Sequence, residues 1–306
     1  MNETNVNKLI YAQKVELLLR LVPIIMEEEV FAIHGGSAIN LFLKDLPRYS
    51  VDIDLTYIPL ADRITSIADI NLHLKSICEK AKRAFKGMHI TPKFDTCNLL
   101  CEYQGRQVKI EVNQTKRGIV GGEVLTRPLS DKAQNEFSLY CEAKIVPLTL
   151  LYGGKIAAAL SRQHPRDLFD VKYMDLPLSN CREGLIFCLL GSDRPIHESL
   201  APSLIDQRDA MANQFDGMTD VAFTYEEFEA TRTQLVENVK ALMTQVDREF
   251  LVSFESGQPQ WDGYEFEYFK NYPSVQWKFL NLQKLAKQNP QKLNEEADKL
   301  RCVWNQ

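Results

Sequence analysis

The hydrophobic pattern divides the 306-residue chain into an N-terminal part that contains strands and a C-terminal part that is helical. Apolar residues recur near every 3.6 positions over residues 8–29 and 68–85, which predicts two amphipathic helices. A Gly-Gly break at residue 35 and Pro47 bound a shorter helix between them. Short apolar or alternating runs predict strands at residues 30–34, 51–57, 96–103, 107–113 and 138–146, with Gly105 turning a hairpin between the third and fourth.

From Pro147 onward the pattern becomes helical. Pro147 opens a helix that runs through Ser161, another begins near Arg166, and residues 224–251 read as one long amphipathic helix. Strand signals nearly vanish beyond residue 178. We therefore expect an α/β (α+β) protein, with a small mixed sheet in a catalytic domain at residues 1–177 and a helical C-terminal domain at residues 178–306.

Composition narrows the class of protein. Hydrophobic residues make up 45% and charged residues 25% of the chain, as in ordinary globular proteins. No stretch approaches the roughly 18 consecutive apolar residues of a membrane span, and no secretory signal pattern is present. A cytoplasmic location without membrane partners is expected. Seven cysteines without a C-x-x-C pair predict buried free thiols.

The charge is unevenly distributed. The chain has a net charge of −5, yet residues 75–127 hold 11 Lys and Arg against 5 Asp and Glu. This stretch is either a solvated helix face with loops or a surface that binds a polyanion. On the second interpretation, Lys82, Arg83 and Lys86 are candidate RNA contacts.

Three carboxylates carry the candidate chemistry. Asp52 and Asp54 lie two apart on a predicted strand, so both side chains point to one face, where hard oxygen ligands suit Mg²⁺. A single D-x-D also arises by chance on surface strands. Glu111 occupies the polar register of residues 107–113 and reaches the same ions if the two strands are neighbours. Three carboxylates around two divalent ions suit in-line attack of a hydroxyl on a phosphoryl group.

A strand-to-helix turn precedes the paired aspartates. Gly35 and Gly36 allow the backbone to approach a phosphate, and Ser37 offers a hydroxyl at the start of a helix. The alternative interpretation is an ordinary helix cap.

The order of these features resembles the DNA polymerase β-like nucleotidyltransferase fold. More narrowly, HGGSAINLFLKDLPRYSVDIDL (residues 34–55) looks like the first motif of the AbiEii/AbiGii-type (MenT-like) nucleotidyltransferase toxins, with Arg48, Ser50, Asp52 and Asp54 filling its R-x-S-x-D-h-D pattern. Residues 155–173 resemble the family's K-h-x-A-L helix and the R-D-h-x-D segment after it. The cluster YPSVQWKFLNLQKL also fits, so the similarity spans residues 30–285 or so.

This resemblance implies a toxin enzyme that moves NMP from an NTP to an acceptor hydroxyl, with the 3′ end of tRNA as the acceptor and a separately encoded antitoxin as its opponent. The implied cofactor is Mg²⁺ in a two-metal site, with Mn²⁺ as an alternative. The implied metal ligands are Asp52, Asp54 and Glu111, with Glu111 on the side of the base. The implied nucleotide-binding residues are Gly35, Gly36, Ser37, Arg48, Lys155 and Asp167, with Lys155 at the triphosphate.

Several residues keep two interpretations. Arg48 is either a phosphate contact or a structural partner of Asp45 or Asp52. Without the resemblance, Lys155 reads as a helix-surface lysine and Asp167 as a helix-start carboxylate.

Two further patterns concern the helices that carry these residues. Arg166 and Asp170 read as an exposed ion pair. Gly153-Gly154 is unusual within a helix and suggests that the helix begins late.

Other functions compete with transfer to RNA. The same fold supports transfer to a small molecule or to a protein side chain, as in AMPylation. A catalytically idle nucleotide-binding partner is a third hypothesis, against which the intact set Asp52, Asp54 and Glu111 argues.

Overall fold

The computed structural model describes residues 3–304, with side chains described from residue 4. The strands are β1 Phe31–His34, β2 Asp52–Tyr57, β3 His89–Lys93, β4 Asn98–Tyr103, β5 Arg106–Val112, β6 Leu125–Pro128 and β7 Glu142–Ile145. The helices are α1 Glu3–Met26, α2 Gly35–Ser37, α3 Arg63–Ala84, α4 Asp131–Phe137, α5 Leu148–Arg162, α6 Pro165–Lys172, α7 Arg182–Leu190, α8 Ile196–Leu200, α9 Arg208–Ala210, α10 Tyr225–Leu242, α11 Gln245–Glu255, α12 Pro273–Gln288 and α13 Pro290–Val303. A π-helical turn, Ala38–Leu43, continues α2. The mixed sheet and the helical C-terminal region confirm the predicted fold class.

The chain divides into two compact units. The first comprises the chain up to Pro147 together with Asp209–Ala222, and the second comprises Leu148–Arg208 and the chain from Phe223 onward. The predicted boundary between residues 177 and 178 therefore falls inside the second unit, and the domains 1–177 and 178–306 stay a prediction, with their outermost residues beyond the described range. Within residues 3–304, no helix combines the length and hydropathy that a membrane crossing requires.

In the first unit, the strands form one sheet in the order β3-β4-β5-β2-β1-β7-β6. β2 pairs in parallel with β5 and antiparallel with β1. Ile53 and Leu55 are buried and alternate with exposed Asp52 and Asp54, so β2 has one apolar and one acidic face. Helix α3 packs on the apolar side of the sheet together with α1, and its His73 ring lies edge-on against Phe31, the strand partner of Tyr57.

The two edge strands were not predicted. β3 contains Pro92 and β6 ends at Pro128, and each strand occupies one edge of the sheet. Proline cannot donate a hydrogen bond to a neighbouring strand, so sheets tolerate it at edges. The same prolines weaken the strand pattern in the sequence, which explains the omission.

In the second unit, two glycines allow α5 and α7 to pack closely. A Cβ on Gly153 would lie 2.3 Å from the backbone carbon of Gly184, and a Cβ on Gly184 would lie 2.0 Å from the carbonyl oxygen of Thr149. Both values are far below van der Waals contact. Helix α5 begins at Leu148 and runs through Gly153-Gly154, so the expectation of a late start was wrong. The close contact between α5 and α7 explains why a glycine stands at position 153 inside the helix.

The long helix predicted for residues 224–251 is two helices, α10 and α11. Each begins at a capping box, Thr224 with Glu227 and Thr244 with Asp247. The second box stops the continuous helix, since Thr244 adopts an extended backbone and its hydroxyl accepts a hydrogen bond from the N–H of Asp247.

Six of the seven cysteines are buried free thiols, as predicted, while Cys302 is exposed.

Candidate active site

Strand register brings the three predicted carboxylates together. Asp52 and Asp54 are the exposed residues at the start of β2, and Glu111 is the direct neighbour of Asp54 on the parallel strand β5. Adjacent strands lie about 4.8 Å apart, so three carboxylates share a small area on one face of the sheet. The predicted role of Glu111 required that its strand be the neighbour of the strand with Asp54, and β5 and β2 are neighbours.

A lysine on the same face was missed. Lys109 is the strand neighbour of Asp52, and its ammonium forms an ion pair with the carboxylate of Glu111. Its position in the polar register of β5, two residues before Glu111, is the signal that would have found it. Lys109 thus neutralises part of the charge that three clustered carboxylates create.

The donor set suits a divalent ion, although the side chains are not preassembled around one. Within residues 4–304, no three His, Cys, Asp or Glu side chains are arranged as a metal site. Asp52, Asp54 and Glu111 nevertheless offer the hard oxygens that Mg²⁺ prefers. The Glu111 carboxylate forms an ion pair with the ammonium of Lys109. The residues therefore fit the predicted cofactor by chemistry and strand position.

The Gly-Gly turn is built around groups of the same motif. Gly35 has a φ of +70°, and a Cβ there would lie 2.6 Å from Oδ2 of Asp54. A Cβ on Gly36 would lie 2.8 Å from both the guanidinium of Arg48 and the hydroxyl of Ser50. Any larger residue at position 35 would be strained and would displace the Asp54 carboxylate.

Ser37 and Arg48, both predicted phosphate contacts, are buried beneath this turn. Ser37 is 1% exposed, its hydroxyl donates to the carbonyl oxygen of Asp52, and it lies 3.1 Å from the Ser50 hydroxyl. Arg48 is 4% exposed and donates to the carbonyl oxygen of Tyr49 at 2.8 Å. These contacts hold the start of β2, where Asp52 begins the strand.

The second unit contains a buried ionic cluster around Lys155. The Lys155 ammonium lies 2.9 Å from Oδ1 of Asp167 and 3.0 Å from Oδ2 of Asp170. Oδ2 of Asp167 binds the guanidinium of Arg162 at 2.9 Å. The structure thus joins Lys155 and Asp167 and buries both. The expectation that Asp170 forms an exposed pair was wrong, because the close contact of α5 and α6 buries it against Lys155.

The candidate RNA contacts lie at one end of the first unit. Lys82 and Arg83 occupy the last turn of α3, and Lys86 follows in the loop to β3. All three are exposed. Cations at a helix C-terminus also interact favourably with the helix dipole, so the placement suits both interpretations of the basic stretch.

Comparisons with known proteins show the family of the chain and structures with a similar fold. The family model of the AbiEii toxin nucleotidyltransferases, from type IV toxin-antitoxin systems, matches residues 16–181. No curated protein sequence matches significantly. Among solved structures, the chain is similar to MenT4, a nucleotidyltransferase toxin from Mycobacterium tuberculosis H37Rv, with a TM-score of 0.57 and 11% identity over 92% of this chain and 95% of that one. A tRNA-processing enzyme, 10% identical over 99% of this chain and 98% of that one, has a TM-score of only 0.24.

Proposed function

The chain belongs to the AbiEii family of toxin nucleotidyltransferases, and from this premise we propose that it transfers NMP from an NTP to the 3′ end of tRNA in a magnesium-dependent reaction. The family makes it a nucleotidyltransferase and the toxin of a toxin-antitoxin system. The family also implies an NTP substrate and a cognate antitoxin. The acceptor and the metal are our proposals.

The register of Asp52, Asp54 and Glu111 on one face of the sheet is the observation that supports the proposal. These residues would hold the divalent ions, with Glu111 on the side of the attacking hydroxyl. When bound, the ions supply the positive charge that phosphoryl transfer requires. The hydroxyl oxygen forms a bond to the α-phosphorus and gives up its proton to a base on the side of Glu111. The bond between the α-phosphorus and the α–β bridging oxygen breaks, and pyrophosphate leaves with that oxygen.

The protein's own groups fix this arrangement. Gly35 leaves room for the Asp54 carboxylate, and Ser37 anchors the first residue of β2 through the carbonyl of Asp52. Lys109 forms an ion pair with Glu111, and a bound divalent ion would compete with Lys109 for this carboxylate. We propose, on the family motif, that Gly35, Gly36, Ser37 and Arg48 belong to the nucleotide site.

Lys155 and Asp167 remain our proposed nucleotide-binding pair in the second unit. Their mutual contact supports a joint role, because substitution of either removes a close partner from the buried charge of the other. A loss of activity in Lys155→Ala therefore requires a folding control before it counts as lost nucleotide binding.

RNA is the acceptor that the surface charge favours. Lys82, Arg83 and Lys86 are exposed cations in a chain of net charge −5. Phosphate contacts dominate RNA affinity and make it depend on salt. Replacing the three with Gln should weaken tRNA binding and flatten its salt dependence, and unchanged affinity would remove them from the interface.

The test is incubation of the purified chain with total tRNA, Mg²⁺ and each labelled NTP in turn. We expect label at the tRNA 3′ end with wild type and loss of labelling with Asp54→Asn. Glu102→Gln is the matched control, because Glu102 is an exposed carboxylate on β4 of the same sheet whose strand neighbours are His89 and Gln107. It should label normally.

The other outcomes separate the alternatives. If NTP is consumed in an Asp54-dependent way without labelled RNA, the acceptor is a protein or a small molecule. If Asp54→Asn labels tRNA as well as wild type does, the carboxylates are not the reaction centre. Addition of EDTA should abolish labelling, and labelling that survives EDTA would refute the metal requirement.

A further inference from the structure

One charged group of the Lys155 cluster is accessible. The side chains of Lys155 and Asp167 are each 6% exposed and that of Asp170 is fully buried, whereas the Arg162 side chain is 63% exposed. Lys155 lies within 3.0 Å of both carboxylates. An anion that approaches this cluster from solvent therefore meets Arg162 first.

Contacts with buried and neighbouring groups hold Arg162 in place. Its terminal nitrogen binds Oδ2 of Asp167, while the other oxygen of the same carboxylate binds Lys155. The carbonyl oxygen of Arg162 accepts a hydrogen bond from the Gln207 side chain at 3.0 Å. A guanidinium fixed at one nitrogen keeps its remaining N–H donors in a planar fork, so less conformational entropy is lost when it binds an oxyanion.

A second arginine lies beside it. Arg194 is exposed, and its guanidinium donates to the carbonyl oxygen of Ser161, the residue before Arg162. The two carboxylates of the cluster are paired with Lys155 and Arg162, and Arg194 adds a second exposed guanidinium beside this cluster. The end of α5 therefore presents two oriented guanidinium groups to solvent in an acidic protein.

We propose that Arg162, flanked by Arg194, binds phosphate oxygens of the substrate, and that the buried trio of Lys155, Asp167 and Asp170 positions it. The inference rests on the proposed function, since it adds Arg162 as a further phosphate contact of that reaction to the proposed nucleotide-binding pair Lys155 and Asp167. Toward Arg162, Asp167 acts as a positioning residue. The phosphates belong either to the NTP or to the acceptor RNA, and both offer the same oxyanions.

Binding measurements test the inference without requiring turnover. The affinities of inorganic tripolyphosphate and of unmodified tRNA are measured for wild type, Arg162→Gln and Arg162→Lys. The matched control is Arg301→Gln, since Arg301 is 54% exposed in the same unit and is also paired with an aspartate, Asp298. Thermal unfolding checks that each variant is folded.

We expect Arg162→Gln to weaken binding of at least one probe by about tenfold or more, as loss of a charge-assisted hydrogen bond implies. Arg301→Gln should stay within about twofold, because its partner lies outside the cluster. Arg162→Lys should fall between them, since it keeps the charge and loses the fork. Weakened tripolyphosphate binding assigns the site to the nucleotide, and weakened tRNA binding alone assigns it to the acceptor.

Three results would overturn the inference. They are unchanged affinity of Arg162→Gln for both probes, an equal loss in Arg301→Gln, and wild type that binds neither probe. The first of these overturns it even when Arg162→Gln is less stable, because Arg162 then has a structural role only. Failure of tRNA labelling with intact tripolyphosphate binding at Arg162 refutes the proposed acceptor and leaves this site standing.

Discussion

The contact between α5 and α7 predicts that Gly153→Ala destabilises the second unit, against the usual effect of this substitution in a helix. The new Cβ would lie 2.3 Å from the carbon of Gly184 and 2.4 Å from the nitrogen of Leu185. These are backbone atoms, so no side chain can rotate away. The helices must separate by on the order of 1 Å to restore van der Waals contact.

The magnitude follows from two opposing effects. Alanine improves helix propensity by about 1 kcal/mol over glycine. Overpacking costs about 1–3 kcal/mol, and a clash of backbone with Cβ belongs at the upper end. Separation also loosens the packing of α7, in which Leu185, Ile186 and Leu189 are buried. We expect a net loss of about 2 kcal/mol in the free energy of unfolding.

The tryptophans provide a specific assay. Trp261, Trp277 and Trp304 are the three tryptophans of the chain, and all belong to the second unit. Urea unfolding followed by tryptophan fluorescence therefore reports on the unit that contains Gly153. Ala158→Gly, at a half-buried position of α5, measures the propensity effect separately and should cost about 1 kcal/mol.

An increase in stability for Gly153→Ala would refute the reasoning. That result would mean that α5 and α7 are not in close contact at Gly153 and that propensity alone decides the effect. Gly153→Val should be worse than alanine because its side chain is larger and β-branched, and a reversed order would contradict the steric argument equally.

Three further predictions concern other contacts. Burial alone would raise the pKa of Glu28, but hydrogen bonds from Lys80, Ser76 and His73 outweigh it and lower the pKa from 4.5 to about 2. The stability that this group contributes is therefore present above pH 4.5 and is lost as the pH falls toward 2. Circular dichroism should show a smaller acid-induced loss of stability for Glu28→Gln than for wild type. Asp247→Ala leaves the Arg182 guanidinium without its bidentate partner and should cost about 3 kcal/mol, measured by tryptophan fluorescence; an unchanged midpoint would contradict this. Gly217 has a φ of +78°, and a Cβ there would lie 2.8 Å from backbone atoms of α1, so Gly217→Val should speed hydrogen exchange in residues 4–10 while the tryptophan transition stays unchanged.

The sequence predicted those elements in which local pattern and packing agree. The arms around Gly105 alternate cleanly, and both Gln104 and Gly105 adopt positive φ, as a tight hairpin turn requires. Edge strands with Pro92 or Pro128 could not be found this way, because an edge position is a property of the sheet and not of the segment. Thr244 and Asp247 have the spacing of a capping box, but the amphipathic pattern continues across them, so the pattern alone predicts one helix.

In the candidate site, too, some features follow from the local sequence pattern and others depend on tertiary contacts. The shared face of Asp52 and Asp54 follows from strand alternation alone, whereas the position of Glu111 beside them depends on which strands pair. Spacing along the chain also predicted the wrong environment for Asp170. It lies four residues from Arg166 on α6, yet its carboxylate binds Lys155 on the neighbouring helix. Contacts between helices decide such partners, and no single-sequence pattern encodes them.

The first motif has a structural explanation at nearly every position, which bears on how its chemistry is interpreted. Gly35 gives room to Asp54, Gly36 gives room to Arg48 and Ser50, and the Ser37 hydroxyl holds the carbonyl of Asp52. The residues that family resemblance assigns to phosphate binding are thus the ones that fix the two aspartates on β2. A carboxylate pair binds a divalent ion well only when its oxygens are held in place against their mutual repulsion. Substitutions in the turn are therefore expected to reduce metal affinity and stability together.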